Sequence, residues 1–254
     1  MPDTSGDLNV LSEDPLCAAV YLPNLDVPVI PNERHFIRSH FPAPQIETST
    51  WSLPVTGEVT KFLNLSYDDL INMPSHEVIN VMECAGNSRS TMQPPAEGVQ
   101  WDNGAVSASA WRGIPVKTVL EQAGLTAAAT DVLFEGTDSG TEPHSGGKLI
   151  YAMSIPIEKL LDPDTLLAYE MNGETLPKDH GFPIRLVVPG WYGMASVKWL
   201  AKITVMDHPN GGFHEMDYRI FPATDGEHDA TVEPVSYTHL RAHETEAELV
   251  CRLL

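Results

Sequence analysis

Residues 78–89 read Val78-Ile79-Asn80-Val81-Met82-Glu83-Cys84-Ala85-Gly86-Asn87-Ser88-Arg89. The first five residues are mostly apolar and partly β-branched, which is typical of a buried or half-buried strand. The sequence Ala85-Gly86-Asn87 indicates a sharp turn directly after the cysteine. The pattern therefore predicts a thiol on a loop at the end of a strand, with the cationic Arg89 five residues further along the chain.

The Cys84 thiol has two interpretations from its local sequence. Positive charge nearby favours the thiolate, which is the form that binds metals or acts as a nucleophile. A free cysteine beside a turn is, however, also commonly a small buried hydrophobic residue. The chain contains only three cysteines, and we expect no disulfide framework. The local pattern leaves both interpretations open.

Several blocks of the sequence resemble the sulfite oxidase family, and they occur in the order of that family. Glu83-Cys84-Ala85-Gly86-Asn87, followed by Arg89, is similar to its molybdenum-ligating loop. An upstream block resembles its Arg-x-His-x-Pro-x-Pro segment and reads Phe36-Ile37-Arg38-Ser39-His40-Phe41-Pro42-Ala43-Pro44. Three downstream blocks resemble its cofactor-binding half and read Leu167-Ala168-Tyr169-Glu170-Met171-Asn172-Gly173, Lys178-Asp179-His180-Gly181-Phe182-Pro183-Ile184-Arg185 and Val197-Lys198-Trp199-Leu200. The resemblance extends over residues 25–222.

The resemblance implies an α+β class with a mixed, β-rich molybdopterin-binding fold of the sulfite oxidase type. We expect residues 1–24 to form an N-terminal arm, loosely ordered over residues 1–14 because these are polar and acidic. Residues 25–213 are then the molybdopterin-binding oxidoreductase domain, and residues 214–234 are a linker or the start of a truncated C-terminal dimerisation domain. Residues 235–254 resemble a translated sequencing adaptor and are expected to be a non-native tail, the alternative being an amphipathic helix.

The resemblance further implies a molybdenum-molybdopterin cofactor, with Cys84 as the protein ligand to the metal. It places four other side chains in a catalytic role beside the substrate: Arg38, Arg89, Tyr169 and Trp101. It assigns five side chains to cofactor binding: His40, Asp138, His180, Arg185 and Lys198. Judged by pattern alone, these residues have structural alternatives, such as a solvated basic edge, a core tryptophan or ordinary salt-bridge partners.

The activity that the resemblance implies is oxidation of sulfite to sulfate, with electrons passing to a separate acceptor such as a cytochrome. Two arginines suit this substrate because a planar guanidinium matches an oxyanion bidentately. Reduction of sulfoxides or nitrate on the same scaffold is an alternative, since a fold does not fix its substrate. Another alternative is an inactive molybdopterin-binding fragment or a plain thiol-containing structural domain. A homodimer is expected only in the full-length parent.

Composition restricts the partners. The formal net charge of −20 argues against nucleic acids and anionic membranes as binding partners. The sequence has no apolar run near the roughly 18 residues that span a bilayer. Because the first basic residue is Arg34, the N-terminus lacks the positive region of a secretion signal. We therefore expect a cytoplasmic protein, or a periplasmic one if the N-terminus is incomplete.

Overall fold

The computed structural model describes residues 8–93, 95–143 and 145–218. In these ranges the chain forms three β-sheets connected by short helices and long irregular segments. This architecture confirms the predicted mixed, strand-rich class. The predicted non-native tail and most of residues 214–234 lie outside the described residues.

The first sheet is built from the N-terminal region. It contains β1 (Leu8–Glu13), β2 (Leu16–Val20) and β3 (Ile37–Arg38), which pair antiparallel in this order. The prediction of a loosely ordered arm is wrong for residues 8–13. β2 carries a run of small apolar residues that is buried, so its backbone N–H and C=O groups must be hydrogen-bonded. Pairing with β1 provides these hydrogen bonds, although the side chains of β1 are themselves only partly buried or exposed.

The second sheet carries the predicted cysteine strand at its edge. Its order is β11 (Glu174–Thr175), β10 (Leu166–Met171), β7 (Val106–Pro115) and β6 (His76–Glu83), and β12 (Arg185–Val187) also pairs with β10. β6 and β7 stay in antiparallel register from His76 opposite Gly113 to Glu83 opposite Val106. This long ladder fixes the point where β6 ends and the cysteine loop begins.

The third sheet has the order β5 (Leu63–Ser66), β4 (Ser52–Gly57), β13 (Leu200–Met206), β8 (Asp131–Thr141) and β9 (Lys148–Pro156). The glycines and polar residues of 139–148 are typical of a loop, but Ser139, Gly140 and Thr141 still pair with β9, so the loop itself is short. The β8–β9 register shifts between Glu135 and Ser139. Such a bulge redirects side chains, and here Asp138 lies in it.

The helices are short and match the sequence signals. They are α1 (Tyr67–Ile71), α2 (Val116–Ala123), α3 (Ile157–Leu160) and α4 (Phe213–Asp217). A capping box opens α1, because Ser66 and Asp69 exchange side chain to backbone hydrogen bonds. α2 ends at Gly124, which has a φ of +70° that favours glycine. No helix in the described ranges is long and apolar enough to cross a membrane.

Two clusters of buried apolar side chains form the core. The larger one joins the third sheet to α2 and α3, and it includes Phe134, Ile155 and Leu200. The smaller one packs the N-terminal strands against the cysteine region and includes Cys17, Cys84, Trp101 and Trp111. The cysteine loop is therefore supported by the smaller core cluster, next to the first sheet.

Candidate active site

A cavity with an empty volume of ≈ 660 Å³ is lined by residues from all three sheets. β3, the end of β6, the bulge of β8, the middle of β9 and the start of β12 each contribute to its wall. Seven of the ten predicted site residues line it: Arg38, His40, Cys84, Asp138, His180, Arg185 and Lys198.

Cys84 follows β6 directly and lies in a tight turn. The Asn87 N–H donates to the Cys84 carbonyl oxygen at 2.9 Å, and the Gly86 N–H donates to Cys84 Sγ at 3.4 Å. Burial raises the pKa of the Cys84 thiol, while the Gly86 N–H and the charges of Arg38 and Arg89 act in the opposite direction. In the protein alone, burial therefore outweighs the effect of the two arginines, and the thiol is not kept ionised. Coordination to a metal, however, deprotonates a cysteine outright.

Arg38 and His40 line the same cavity as Cys84, and the charge of Arg38 acts on the Cys84 thiol. The Arg38 guanidinium contacts the Ser39 carbonyl oxygen and lies 3.9 Å from Cys17 Sγ. Burial lowers the pKa of Arg38, but the Tyr218 phenol and the thiols of Cys17 and Cys84 act more strongly together and leave it raised. His40 Nε2 is 2.7 Å from the Tyr218 hydroxyl, and burial lowers the pKa of His40, so its imidazole is neutral near pH 7.

Arg185, Lys198 and Asp138 also line the cavity. Arg185 Nη1 donates to the His180 carbonyl oxygen at 2.9 Å, and Lys198 Nζ donates to Ser39 Oγ at 2.9 Å. Burial lowers the pKa of Arg185 to about 9 and that of Lys198 to about 7. Burial also raises the pKa of Asp138 to about 7, against the charge of Lys198. Lys198 and Asp138 therefore both exchange protons near neutral pH.

The donor set of the cavity fits a molybdopterin cofactor. Within the described part of the chain, Arg38, Arg185 and Lys198 do not belong to the ion pairs, so their positive charge is available to an anionic group such as a phosphate. Two lining residues, His35 and Asp138, each have a buried polar atom without a hydrogen-bond partner in the described structure, Nε2 and Oδ1. Such atoms suit a heteroaromatic ring with polar edges. Cys84 supplies one soft sulfur for a metal.

Three predicted site residues do not line the cavity. The Tyr169 hydroxyl donates to Ser75 Oγ at 3.0 Å, and its ring belongs to the larger core cluster and not to the cavity lining. Trp101 is fully buried in the smaller core cluster, which agrees with the alternative interpretation of Trp101 as a core tryptophan. Arg89 Nη1 donates to the Val99 carbonyl oxygen at 3.1 Å, and its guanidinium lies beside Gly86 and Gly98. From there it affects the Cys84 thiol by charge only.

The structure adds lining residues that sequence reasoning missed. Tyr218 lines the cavity beside His40 and follows α4. Tyr151 on β9 stacks near His40, with ring centroids 4.6 Å apart, and donates from its hydroxyl to the Met194 carbonyl oxygen. His35 precedes the Arg-x-His block by three residues, and its Nδ1 is 2.9 Å from the Phe36 carbonyl oxygen. The cluster of four His and Arg residues between 34 and 40 was a signal for His35, whereas no motif marked Tyr151 or Tyr218.

The sequence is similar to sulfite oxidases and to nitrate reductases. It is 41% identical over 208 residues to the mitochondrial sulfite oxidase of Homo sapiens, with 78% of this chain and 37% of that protein covered. It is 42% identical over 205 residues to the sulfite oxidase of Gallus gallus, covering 77% of this chain and 44% of that protein. Identity to nitrate reductase [NADH] 1 of Phaseolus vulgaris is 36% over 201 residues, 77% of this chain and 23% of the relative. The chain thus spans less than half the length of these relatives.

Structure comparison and a family model agree with these similarities. The fold matches the crystal structure of the sulfane dehydrogenase SoxCD from Paracoccus pantotrophus with a TM-score of 0.73 and 28% identity, covering 87% of this chain and 54% of that one. Residues 40–214 match the model of the oxidoreductase molybdopterin binding domain. The chain therefore belongs, as its sequence blocks predict, to the oxidoreductase molybdopterin-binding domain family, with a fold of the sulfite oxidase type.

Proposed function

We propose that this domain holds a molybdenum-molybdopterin cofactor through Cys84 and oxidises sulfite to sulfate. The observation that carries the proposal is the convergence of Cys84 and Arg38 in one cavity with His40, Arg185 and Lys198. Identity to the sulfite oxidases, at 41–42%, is higher than to the nitrate reductase of Phaseolus vulgaris, at 36%, which favours sulfite as the substrate. The reaction takes one oxygen atom from water and releases two protons and two electrons.

The protein side chains divide the work by position. When bound, the cofactor supplies the two-electron oxygen-atom transfer that no side chain performs. Cys84 would hold the metal, and the charges of Arg185 and Lys198 with the polar atoms of His35 and Asp138 would hold the pterin and its phosphate. Arg38 would orient the sulfite oxyanion from the side of Cys84, since a guanidinium is a bidentate oxyanion donor. Burial of these groups excludes water and strengthens each charge interaction.

Two further roles belong to this proposal. Arg89 would contribute a positive field at the thiolate, because it reaches Cys84 by charge from its place beside Gly86 and Gly98. The two electrons would leave to an external acceptor such as a cytochrome, as the implied sulfite oxidase activity requires an oxidant. Reduction of nitrate is the second candidate function, because the nitrate reductase of Phaseolus vulgaris matches over 77% of this chain.

The experiment that tests the proposal is a comparison of Cys84→Ser with Cys17→Ser after expression in a host that makes molybdopterin. Both cysteines are buried in the smaller core cluster, so they are matched for packing. We expect about one molybdenum per chain and sulfite turnover in wild type, and a loss of turnover by more than about 100-fold in Cys84→Ser with the fold retained. Cys17→Ser should keep its molybdenum.

The outcomes separate the alternatives. If wild-type protein contains molybdenum and reduces nitrate but does not oxidise sulfite, nitrate replaces sulfite as the substrate in our proposal. Folded wild-type protein without molybdenum and without pterin fluorescence would overturn the proposal altogether. Equal metal content in wild type and both variants, with equal turnover, would remove Cys84 from the metal site.

A further inference from the structure

α4 is a five-residue helix that directly precedes Tyr218, one of the residues that line the cavity. An isolated helix of this length is not stable in water, because nucleation costs more than one turn returns. α4 must therefore be held by contacts outside itself. It packs against β9, the strand that also carries Tyr151 into the cavity.

The Glu215 carboxylate makes the contacts that attach α4. Its Oε1 accepts a hydrogen bond from the Ser154 N–H of β9 at 2.6 Å. Its Oε2 accepts from the Gly212 N–H and from Asn210 Nδ2, each at 2.8 Å. The Asn210 N–H in turn donates to Ser154 Oγ at 3.2 Å. One carboxylate thus links β9, the loop before α4 and α4 itself, and hydrogen bonds to a charged acceptor are stronger than neutral ones.

The helix attached in this way brings Tyr218 to the cavity and packs His214 behind two of its lining residues. His214, next to Glu215, is buried and packs on Tyr151 and His40 with ring centroids 4.4 and 5.5 Å away. The Tyr218 N–H donates to the His214 carbonyl oxygen at 3.0 Å, and its hydroxyl lies 2.7 Å from His40 Nε2. The Tyr218 phenol also raises the pKa of Arg38. The position of the Tyr218 hydroxyl therefore depends on where α4 is fixed.

We propose that Glu215 is a positioning residue, whose carboxylate fixes α4 on β9 so that the Tyr218 hydroxyl meets His40 beside Arg38. Glu215 does not line the cavity, so its effect passes through Tyr218. The inference deepens the proposed function, since it assigns the placement of one wall of the same site. The attachment itself exists in the protein without cofactor, and this allows a test that does not need turnover.

The first test compares wild type, Glu215→Gln and Glu158→Gln without cofactor by NMR. Gln keeps the size of the Glu215 side chain, but its amide group turns an N–H toward at least one N–H donor. Glu158→Gln is the control, because Glu158 is an exposed residue of α3. In Glu215→Gln we expect amide exchange at Ser154, Gly212 and Tyr218 to accelerate at least about tenfold. The His40 Nε2 resonance should shift toward its value in Tyr218→Phe. Glu158→Gln should match wild type.

The second test uses the holoenzyme and a double-mutant cycle. If Glu215 acts through Tyr218, the variant Glu215→Gln/Tyr218→Phe should oxidise sulfite no more slowly than Tyr218→Phe alone, with unchanged molybdenum content. Glu215→Asp, which keeps the charge but is one methylene shorter, should fall between wild type and Glu215→Gln. Unchanged exchange and an unchanged His40 resonance in Glu215→Gln would overturn the inference, as would fully additive losses in the cycle. Absence of sulfite turnover in wild type would overturn the proposed function alone, because the NMR comparison would still decide the role of Glu215.

Discussion

The two tyrosines Tyr218 and Tyr169 allow a matched test of the site at the level of single residues. The Tyr218 hydroxyl is beside His40 in the cavity, whereas the Tyr169 hydroxyl bonds to Ser75 in the core. We expect Tyr218→Phe to lower kcat/KM for sulfite by about 3- to 10-fold, the range for losing one hydrogen bond between neutral groups. Tyr169→Phe should change kcat/KM by less than about threefold and cost about 1 kcal/mol of stability.

Steady-state kinetics with an artificial electron acceptor, together with urea unfolding, measures both effects. A larger kinetic loss in Tyr169→Phe than in Tyr218→Phe would return Tyr169 to the site. Molybdenum content should be equal in the two variants, so that any difference in rate is assigned to the phenol and not to cofactor loading.

These tyrosines also mark how far the sequence specifies the site. Side chains inside or next to the quoted blocks, such as Cys84, Arg38 and Lys198, were predicted and line the cavity. Tyr169 sits in such a block too, but its side chain points to the larger core cluster, which residue spacing does not reveal. Tyr218 reaches the cavity only because α4 docks on β9, a long-range contact without a local motif. The sequence therefore predicts the residues of compact blocks better than those that tertiary packing brings in.

At the level of single elements, α1 offers a test of local sequence signals. Ser66 Oγ accepts from the Asp69 N–H at 3.1 Å, and Asp69 Oδ2 accepts from the Ser66 N–H at 2.9 Å. Ser66→Ala should lower the free energy of unfolding by about 1 kcal/mol, because it leaves an N–H at the helix start without a side-chain acceptor. Molybdenum content should not change, since α1 does not line the cavity.

Urea unfolding of Ser66→Ala, Asp69→Ala and the double variant measures this coupling. The double variant should lose less stability than the sum of the single variants, because both bonds belong to one capping box. Additive losses would show that the two residues stabilise α1 independently.

The elements differ in how well local sequence predicts them. β6 has an apolar pattern and a clear end signal, and it was predicted close to its observed bounds. β1 was missed because residues 1–14 are rich in polar and acidic residues, and it exists as a strand because β2 needs a partner. Glycines and polar residues at the end of β8 are typical of a loop, although the strands β8 and β9 remain paired through Thr141 and Lys148. Backbone pairing in these cases outweighs side-chain pattern.

For the whole molecule, the distribution of charge is uneven. The formal net charge is −20, yet Arg38, Arg185 and Lys198 are gathered at one cavity. Among the residues that line this cavity, only Asp138 and Asp179 are acidic. An anion therefore meets repulsion at long range, which salt screens beyond about 10 Å, and attraction at short range, which burial preserves.

The same burial gives the folded protein a defined response to acid. Burial lowers the pKa of His35 to about 3, because a charged imidazole would lose its hydration in the core. The unfolded chain has the ordinary value of 6.5, so it takes up a proton before the folded protein does. The contribution of neutral His35 to stability is therefore complete above about pH 6.5 and is lost progressively as the pH falls toward about 3.

We expect His35→Phe to remove this part of the acid sensitivity. In cofactor-free protein, the free energy of unfolding of wild type should fall by about 1.4 kcal/mol per pH unit more than that of His35→Phe between pH 6 and pH 4. Urea unfolding at a series of pH values measures both slopes. Parallel slopes for wild type and His35→Phe would mean that His35 is protonated in the folded state, and its Nε2 would then be a donor to the cavity and not an acceptor.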